Sequence, residues 1–218
     1  MLSFIPEFDR EYGNKLGVRY DTFRRIFEIL EQKEKRYFTI VETGCMRAHR
    51  PRDWQSDGLS TLLFDKFINF HNGMLYSVDI NPSACGLARR YTSQKTTLVC
   101  SDSVSWLWKL AKQTTLEIDL LYLDSFEPQW DNLHPSALHH FKELCAILPI
   151  LKNGTLIVVD DTVKTVGLLP RQIENRTEHI MIRDTGVTGN GIYIDDFLTN
   201  IGCKRVIEGY QTGYILNK

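Results

Sequence analysis

The sequence predicts an α/β domain built on a mostly parallel sheet, and three observations carry that prediction. Short apolar runs alternate with helical apolar patterns from about residue 21 to residue 160. Five of the runs end in acids: Phe38 to Val41 at Glu42, Tyr76 to Ser77 and Val78 at Asp79, Leu98 to Ser101 at Asp102, Leu120 to Leu123 at Asp124, and Leu156 to Val159 at the pair Asp160-Asp161. The chain then closes with two β-patterned runs, Lys204 to Glu208 and Thr212 to Leu216, which suit an antiparallel pair. In a parallel α/β sheet the carboxyl ends of the strands share one edge, where ligands bind. The repeated acids therefore converge on one crevice and suit a ligand with hydroxyls, a cationic centre or a metal ion.

The elements follow in order. Residues 1–35 form an N-terminal extension, polar and irregular to residue 20 and then helical from Asp21 to Lys33, with Phe23, Ile26, Phe27 and Leu30 at helical spacing. After the first strand and Gly44 comes a polar loop, Met46 to Asp57, rich in Arg, Asp, Pro and Trp. Gly58-Leu59-Ser60-Thr61 opens the next helix. The second strand, around Leu75 to Val78, runs into Asn81-Pro82, a helix cap followed by a suitable first helical residue, so a helix to about Tyr91 is expected. Val104 to Gln113 reads as a helix, and Asp119 to Leu123 as the fourth strand. A loop, Ser125 to His134, leads to a helix from about Pro135, and Lys152-Asn153-Gly154 ends that unit before the fifth strand. Residues 163–191 have no clear period and are the candidate lid, with Gly186 to Gly191 as its hinge. A last helix is expected over Tyr193 to Ile201. No repeat, low-complexity tract or linker divides the 218 residues, so the chain reads as one domain.

Composition narrows the class. A formal net charge of -1 gives no electrostatic footprint for nucleic acid. Five dispersed cysteines without Cys-x-x-Cys spacing argue against a disulfide framework and fit a reducing compartment. Neither a basic leader nor an apolar run of bilayer length is present, so no membrane role is expected and the cytoplasm is the default location. A small-molecule substrate is the expected partner, and a homodimer is left open.

With these motifs in register, the chain resembles the class I S-adenosylmethionine-dependent methyltransferases over roughly residues 36–216. Glu42-Thr43-Gly44 matches the Glu/Asp-x-Gly that ends the family's first strand, Asp79 the acid ending the second, and Asp102-Ser103 the acid or amide ending the third. The resemblance implies a Rossmann-like three-layer sandwich with a seven-stranded sheet, order 3-2-1-4-5-7-6, ending in a C-terminal antiparallel hairpin. It also implies roles: Gly44 lets the backbone approach the cofactor, and Glu42 sits near the methionine part. Asp79 takes the ribose hydroxyls, Ile80 packs on adenine, Asp102 accepts from the adenine amine, and the Ser103 N–H meets a ring nitrogen. Relatives with sugar and natural-product substrates often read Glu-x-Gly-x-x-x-Gly-x-Ser-Thr. Here Gly58, Ser60 and Thr61 match the second half, separated from the first by the 46–57 insertion, whose Arg47, Arg50, Arg52 and Trp54 would border the crevice. A dinucleotide fold is disfavoured, since Gly44 stands alone where Gly-x-Gly-x-x-Gly is required.

The acids Asp124, Asp160 and Asp161 form the sharpest cluster. Adjacent parallel strands place their ends roughly 5 Å apart, so side chains from both reach one ion, and three carboxylate oxygens with waters and substrate suit Mg²⁺. This resembles the metal-dependent small-molecule O-methyltransferases, which implies Mg²⁺-assisted methylation of a hydroxyl. Glu127 and His134 are the candidate bases, with His49, His139 and His140 behind them; His139 and His140 read as ordinary surface or packing residues. The rival readings are a metal-dependent hydrolase or hydroxylase on the same sheet, and a non-catalytic Rossmann-like binding protein.

Overall fold

The computed structural model describes residues 2–49, 54, 59–113, 116–129, 131–162, 167–173, 176–182 and 186–218, the segments 167–173 and 176–182 through their backbone. Helix α1 (Ile5–Tyr12) begins at Pro6 in its first turn and buries Ile5, Phe8 and Tyr12, one face at helical spacing. The N-terminal stretch is therefore ordered, not irregular as its polarity suggested. A short turn of 3₁₀ helix, Gly17–Arg19, leads into α2 (Tyr20–Glu31).

Seven strands then build the main sheet: β1 (Phe38–Thr43), β2 (Gly73–Asp79), β3 (Thr96–Cys100), β4 (Leu120–Leu123), β5 (Leu156–Val159), β8 (Lys204–Glu208) and β9 (Thr212–Ile215). Their spatial order is β3-β2-β1-β4-β5-β9-β8, the order 3-2-1-4-5-7-6 when this sheet is numbered alone. β1 to β5 pair in parallel, while β9 runs antiparallel to both β5 and β8. The helices α3 (Ser60–His71), α4 (Pro82–Tyr91), α5 (Ser103–Gln113), α6 (His134–Ile147) and α7 (Ile192–Asn200) alternate with the strands. At α4 the Asn81 side chain accepts from Ser83 N at 2.9 Å, and Pro82 opens the helix, as the Asn-Pro pair indicated.

Both faces of the central strands are covered, which is why β4 and β5 read as unbroken apolar runs. Leu120, Tyr122, Leu156 and Val158 join one core with the Phe-rich faces of α1, α2 and α3. Leu121, Leu123, Ile157 and Val159 join a second core built with α5, α6 and α7. Asp119 lies just outside β4: its carboxylate accepts from Thr39 N at 3.0 Å and from Lys35 Nζ at 2.8 Å, fastening the amino ends of β1 and β4.

The candidate lid has a structure that its sequence did not signal. Within it, β6 (Gly167–Ile173) and β7 (Arg176–Ile182) form an antiparallel pair apart from the main sheet. Residues 163–166, 174–175 and 183–185 of that stretch lie outside the described residues. Gly189 and Gly191 are packed rather than open: a Cβ on Gly189, at φ +58°, would lie 1.8 Å from the Asp161 carbonyl oxygen, and one on Gly191 would meet Thr162 at 2.8 Å. Gly186, at φ +127°, has open space where a Cβ would lie.

The aromatic cluster fixes α1 and α2 to the sheet. Phe27 has ring centroids of Phe4, Phe8 and Phe67 within 5.2 Å and is fully buried. Phe27→Ala should lower stability by about 3–5 kcal/mol, read as a lower urea midpoint at unchanged slope.

Candidate active site

The carboxyl ends of the parallel strands place the acids along one edge of the sheet. Glu42, one residue before the end of β1, pairs in register with Ser77 of β2 and Tyr122 of β4. Its carboxylate is fully buried. Oε2 accepts from the Ser77 hydroxyl at 2.5 Å and from Thr61 Oγ1 at 2.7 Å, whereas Oε1 has no hydrogen-bond partner among the described residues. Burial pushes the Glu42 carboxyl up to about 7, against the pull of hydroxyls on Ser60, Ser77 and Thr61. A buried carboxylate oxygen left unpaired is costly, and it is the group that a cation entering the crevice would satisfy.

Ser60 and Thr61, expected to touch a cofactor, are buried against Glu42 instead. Thr61 Oγ1 also accepts from Met46 N at 2.9 Å, so one hydroxyl ties the acid to the start of the inserted loop. Leu59, just before α3, has φ 44°, a left-handed conformation uncommon for a branched side chain. That turn is what delivers Ser60 and Thr61 to Glu42. Gly58, like Arg50 and Arg52, lies outside the described residues.

Gly44 has φ +86°, and a Cβ there would sit 2.1 Å from the Asp124 carbonyl oxygen. The first demand on this glycine comes from the end of β4, before any ligand. Asp79 closes the same corner, its Oδ2 accepting from Cys45 N at 2.9 Å and its Oδ1 from Asn81 N at 2.7 Å. Each oxygen keeps a second lone pair for another donor. A cleft of about 270 Å³ opens here, lined by Asp79, Ile80, Asp102, Ser103, Ser125, Phe126 and His139. Ile80 is 73% exposed, a large apolar surface beside strand-end acids. Asp102 caps α5 through Ser105 N at 2.8 Å, and the hydrogen bonds from Ser105 hold its carboxyl below the usual range.

His139, read from sequence as a packing residue, lines this cleft. Its Nε2 lies 3.1 Å from Ser103 Oγ and 3.4 Å from Glu143 Oε1, and hydrogen bonding to Glu143 raises its pKa. Glu143 is fully buried; burial alone would raise its carboxyl, but hydrogen bonds from His139, Ser103 and Ser125 keep it low. His140 is different. Its ring lies between Ser125 N, 3.1 Å from Nε2, and the Ser136 carbonyl, 2.8 Å from Nδ1, which assigns the proton to Nδ1. Burial lowers its pKa. The i, i+4 spacing of His139 and Glu143 on one helix was the available signal.

Asp124, Asp160 and Asp161 lie near one another, and the cation paired with Asp160 is a guanidinium. Arg19 Nη2 pairs with Asp160 Oδ2, both side chains buried. Tyr122 Oη donates to the same oxygen at 2.8 Å, and Asp161 N donates to Oδ1 at 2.9 Å. Asp161, in a left-handed turn at φ 54°, accepts from Tyr210 Oη at 2.6 Å. Burial, then the charge of Asp160, pushes the Asp124 carboxyl well above the usual carboxylate range. An ion held by three carboxylates needs all three deprotonated with oxygens to spare. Asp160 Oδ2 already takes the Arg19 guanidinium and the Tyr122 hydroxyl, a cation and a second donor on one oxygen, so the residues as arranged do not fit the expected Mg²⁺ site. Among the described residues no group of three or more His, Cys, Asp or Glu side chains could hold a metal ion.

The candidate bases are also committed. Glu127 pairs with Arg47, both substantially exposed. His134 Nδ1 lies 2.7 Å from Tyr193 Oη and is not among the residues lining the cleft. The inserted loop is anchored where it is described: His49 stacks on Tyr91 at 3.8 Å, and Trp54 on Tyr12 at 5.4 Å.

This architecture, with its acids at the heads of β1, β2 and β3, is the fold of the class I S-adenosylmethionine-dependent methyltransferases. A methyltransferase of that class from Clostridium acetobutylicum superposes with TM-score 0.52 at 11% identity, covering 99% of this chain and 98% of that one. The sugar N-methyltransferase KedS8 from a Streptoalloteichus species gives TM-score 0.52 at 11% identity, covering 98% and 92%. MycE from the mycinamycin pathway, solved with Mg, S-adenosylhomocysteine and mycinamycin VI, gives TM-score 0.48 at 17% identity; the match covers 72% of this chain but 37% of that one. No family model and no curated protein sequence matches the chain. No helix among the described residues is long and apolar enough to cross a membrane.

The raised Glu42 carboxyl gives a signed expectation. Neutral in the fold and ionised when unfolded, it supports the ligand-free protein fully below its ordinary pKa near 4.5, and that support is lost as pH rises to about 7. Glu42→Gln should remove this loss, roughly 3 kcal/mol at most, in urea titrations repeated between pH 4.5 and 7.5.

Proposed function

We propose that the protein is an S-adenosylmethionine-dependent methyltransferase acting on a hydroxyl of a small molecule. The observation that carries this reading is the cleft at the heads of β2 and β3, lined by Asp79, Ile80, Asp102 and Ser103, together with a buried Glu42 on β1, within range of the Asp79 charge, one of whose oxygens has no partner among the described residues. Those groups fit the methyl donor part by part. Asp79 keeps lone pairs for the two ribose hydroxyls, Ile80 offers an apolar plate to the base, and Asp102 accepts from its amine. Glu42 Oε1 supplies negative potential toward the cationic methionine end.

When bound, the donor supplies an electrophilic methyl group on a sulfonium. The chain's own work is to hold that group and the acceptor in line, which contributes much of the rate. Burial around Glu42 keeps water from the donor's charged end and strengthens the attraction. The acceptor's proton passes to a carboxylate on the β4–β5 side, where Glu127 contributes negative charge close to Asp161. To serve as that base, Glu127 must leave Arg47, an exposed pairing worth about 1 kcal/mol or less. Mg²⁺ assistance is not carried into this reading, because the cation position beside Asp160 belongs to Arg19. The same occupancy weighs against a metal-dependent hydrolase or hydroxylase built on the trio.

Calorimetry with S-adenosylhomocysteine tests the proposal. The wild-type protein should bind one equivalent, and Asp79→Ala should weaken binding roughly 10- to 100-fold, the worth of hydrogen bonds to a charged group. Failure of the wild type to bind would overturn it. With the methyl donor itself, affinity should rise as Glu42 ionises through about pH 7, and Glu42→Gln should flatten that profile.

A further inference from the structure

We infer that Arg19 is a built-in cation that takes the place of a divalent metal ion at the heads of β4 and β5, positioning the carboxyls of Asp124, Asp160 and Asp161. Its role in methyl transfer rests on the reading above; its occupancy of the position does not.

Four observations converge on Arg19. It is 2% exposed, and Asp160, its partner, is 1% exposed. A buried charge pair of this kind is costly to desolvate and persists only with further satisfied contacts. Such contacts surround the pair, although Arg19 Nε has no hydrogen-bond partner among the described residues. The guanidinium lies between the rings of Phe23, 5.5 Å away, and Tyr210, 5.2 Å away. Tyr122 Oη shares the Asp160 oxygen and also accepts from Gln211 Nε2 at 3.2 Å, while Thr22 Oγ1 donates to Gln211 Oε1. Tyr210 then reaches Asp161 at 2.6 Å. One guanidinium thus organises the two acids after β5, Asp160 directly and Asp161 through Tyr210, close to Asp124 at the end of β4.

The turn after β5 is shaped for this arrangement. Asp161 is left-handed, and its carbonyl oxygen accepts from Asn190 N at 3.3 Å in a space that a Cβ on Gly189 would fill. The N-terminal extension therefore contributes to the site itself. Arg19 is a positioning residue, since it acts through Asp160 and is not exposed to substrate.

Manganese binding to the full-length protein, followed by electron paramagnetic resonance with S-adenosylhomocysteine present, tests the inference. Wild type should bind no Mn²⁺ at millimolar concentration, and chelation should leave its S-adenosylhomocysteine affinity unchanged. Arg19→Met removes the resident cation from among three acids, so it should gain one Mn²⁺ site, and Arg19→Met combined with Asp160→Asn should lose it again. Arg19→Lys keeps a cation and should gain none. This variant and the wild type decide the matter if Arg19→Met does not fold by circular dichroism. One Mn²⁺ bound by wild type and lost in Asp161→Asn would overturn the inference, as would a folded Arg19→Met that gains no site. Loss of S-adenosylhomocysteine binding by wild type would instead strike the methyltransferase reading and leave this one standing.

Discussion

A buried ion pair, Arg19 to Asp160, joins the N-terminal extension to the carboxyl end of β5, and much of the site's order depends on it. Moving both charges out of water costs several kcal/mol each, so the pair holds only where other contacts offset that cost. Here the offset comes from aromatic faces on both sides of the guanidinium and from two tyrosine hydroxyls on the acids. Tyr122 is the junction. Its ring belongs to the Phe-rich core, stacked with Phe23 and edge-on to Phe64, and its hydroxyl leaves that core for Asp160. Packing of α2 against the sheet and polar order at the strand ends are thus one construction.

A second tie links Glu42 to the chain around it. In one row of the sheet, Ser77, Glu42 and Tyr122 stand side by side, and α3 lies over them. A buried acid in that row needs donors, and the left-handed turn at Leu59 brings Ser60 and Thr61 down to supply them. Strain at a non-glycine left-handed residue costs on the order of 1–3 kcal/mol. It is sustained by the fully buried Leu59 side chain, in contact with Met46, Leu62 and Ala84 of a small apolar cluster. Yet Oε1 of Glu42 has no partner among the described residues even so. Structure built at that cost and still left incomplete is better suited to a bound state than to the empty protein.

The sheet and the strand-end acids were legible because each leaves a local mark: an apolar run, an acid at its end, and a helix pattern after it. Asn81-Pro82 announced α4 for the same reason. The cation was not legible. Arg19 lies 141 positions from Asp160, in a polar stretch without a period, and nothing near it in sequence names its partner. Counting acids alone therefore suggested a metal ion. Tyr122 passed as one more apolar residue in Leu120 to Leu123, since sequence shows its ring's place in the alternation but not where its hydroxyl ends. The helix α1 was missed because its apolar residues, Ile5, Phe8 and Tyr12, are few and widely set among charges.

The inserted loop carries the same reasoning to the rim of the crevice. Its Arg-rich composition suits a solvated strap, yet its described parts are bound to three elements. Met46 is buried against α3 and α4, His49 stacks on Tyr91 at the end of α4, and Trp54 stacks on Tyr12 of α1, with the Lys15 ammonium near both rings. Arg47 reaches across to Glu127 beyond β4. The contrast in burial sorts these ties by strength. Aromatic stacks and the Met46 packing remove apolar surface from water and persist, whereas the exposed Arg47–Glu127 pair is screened and cheap to open. The described part of the loop thus combines apolar anchors that hold with an exposed Arg47–Glu127 pair that opens easily.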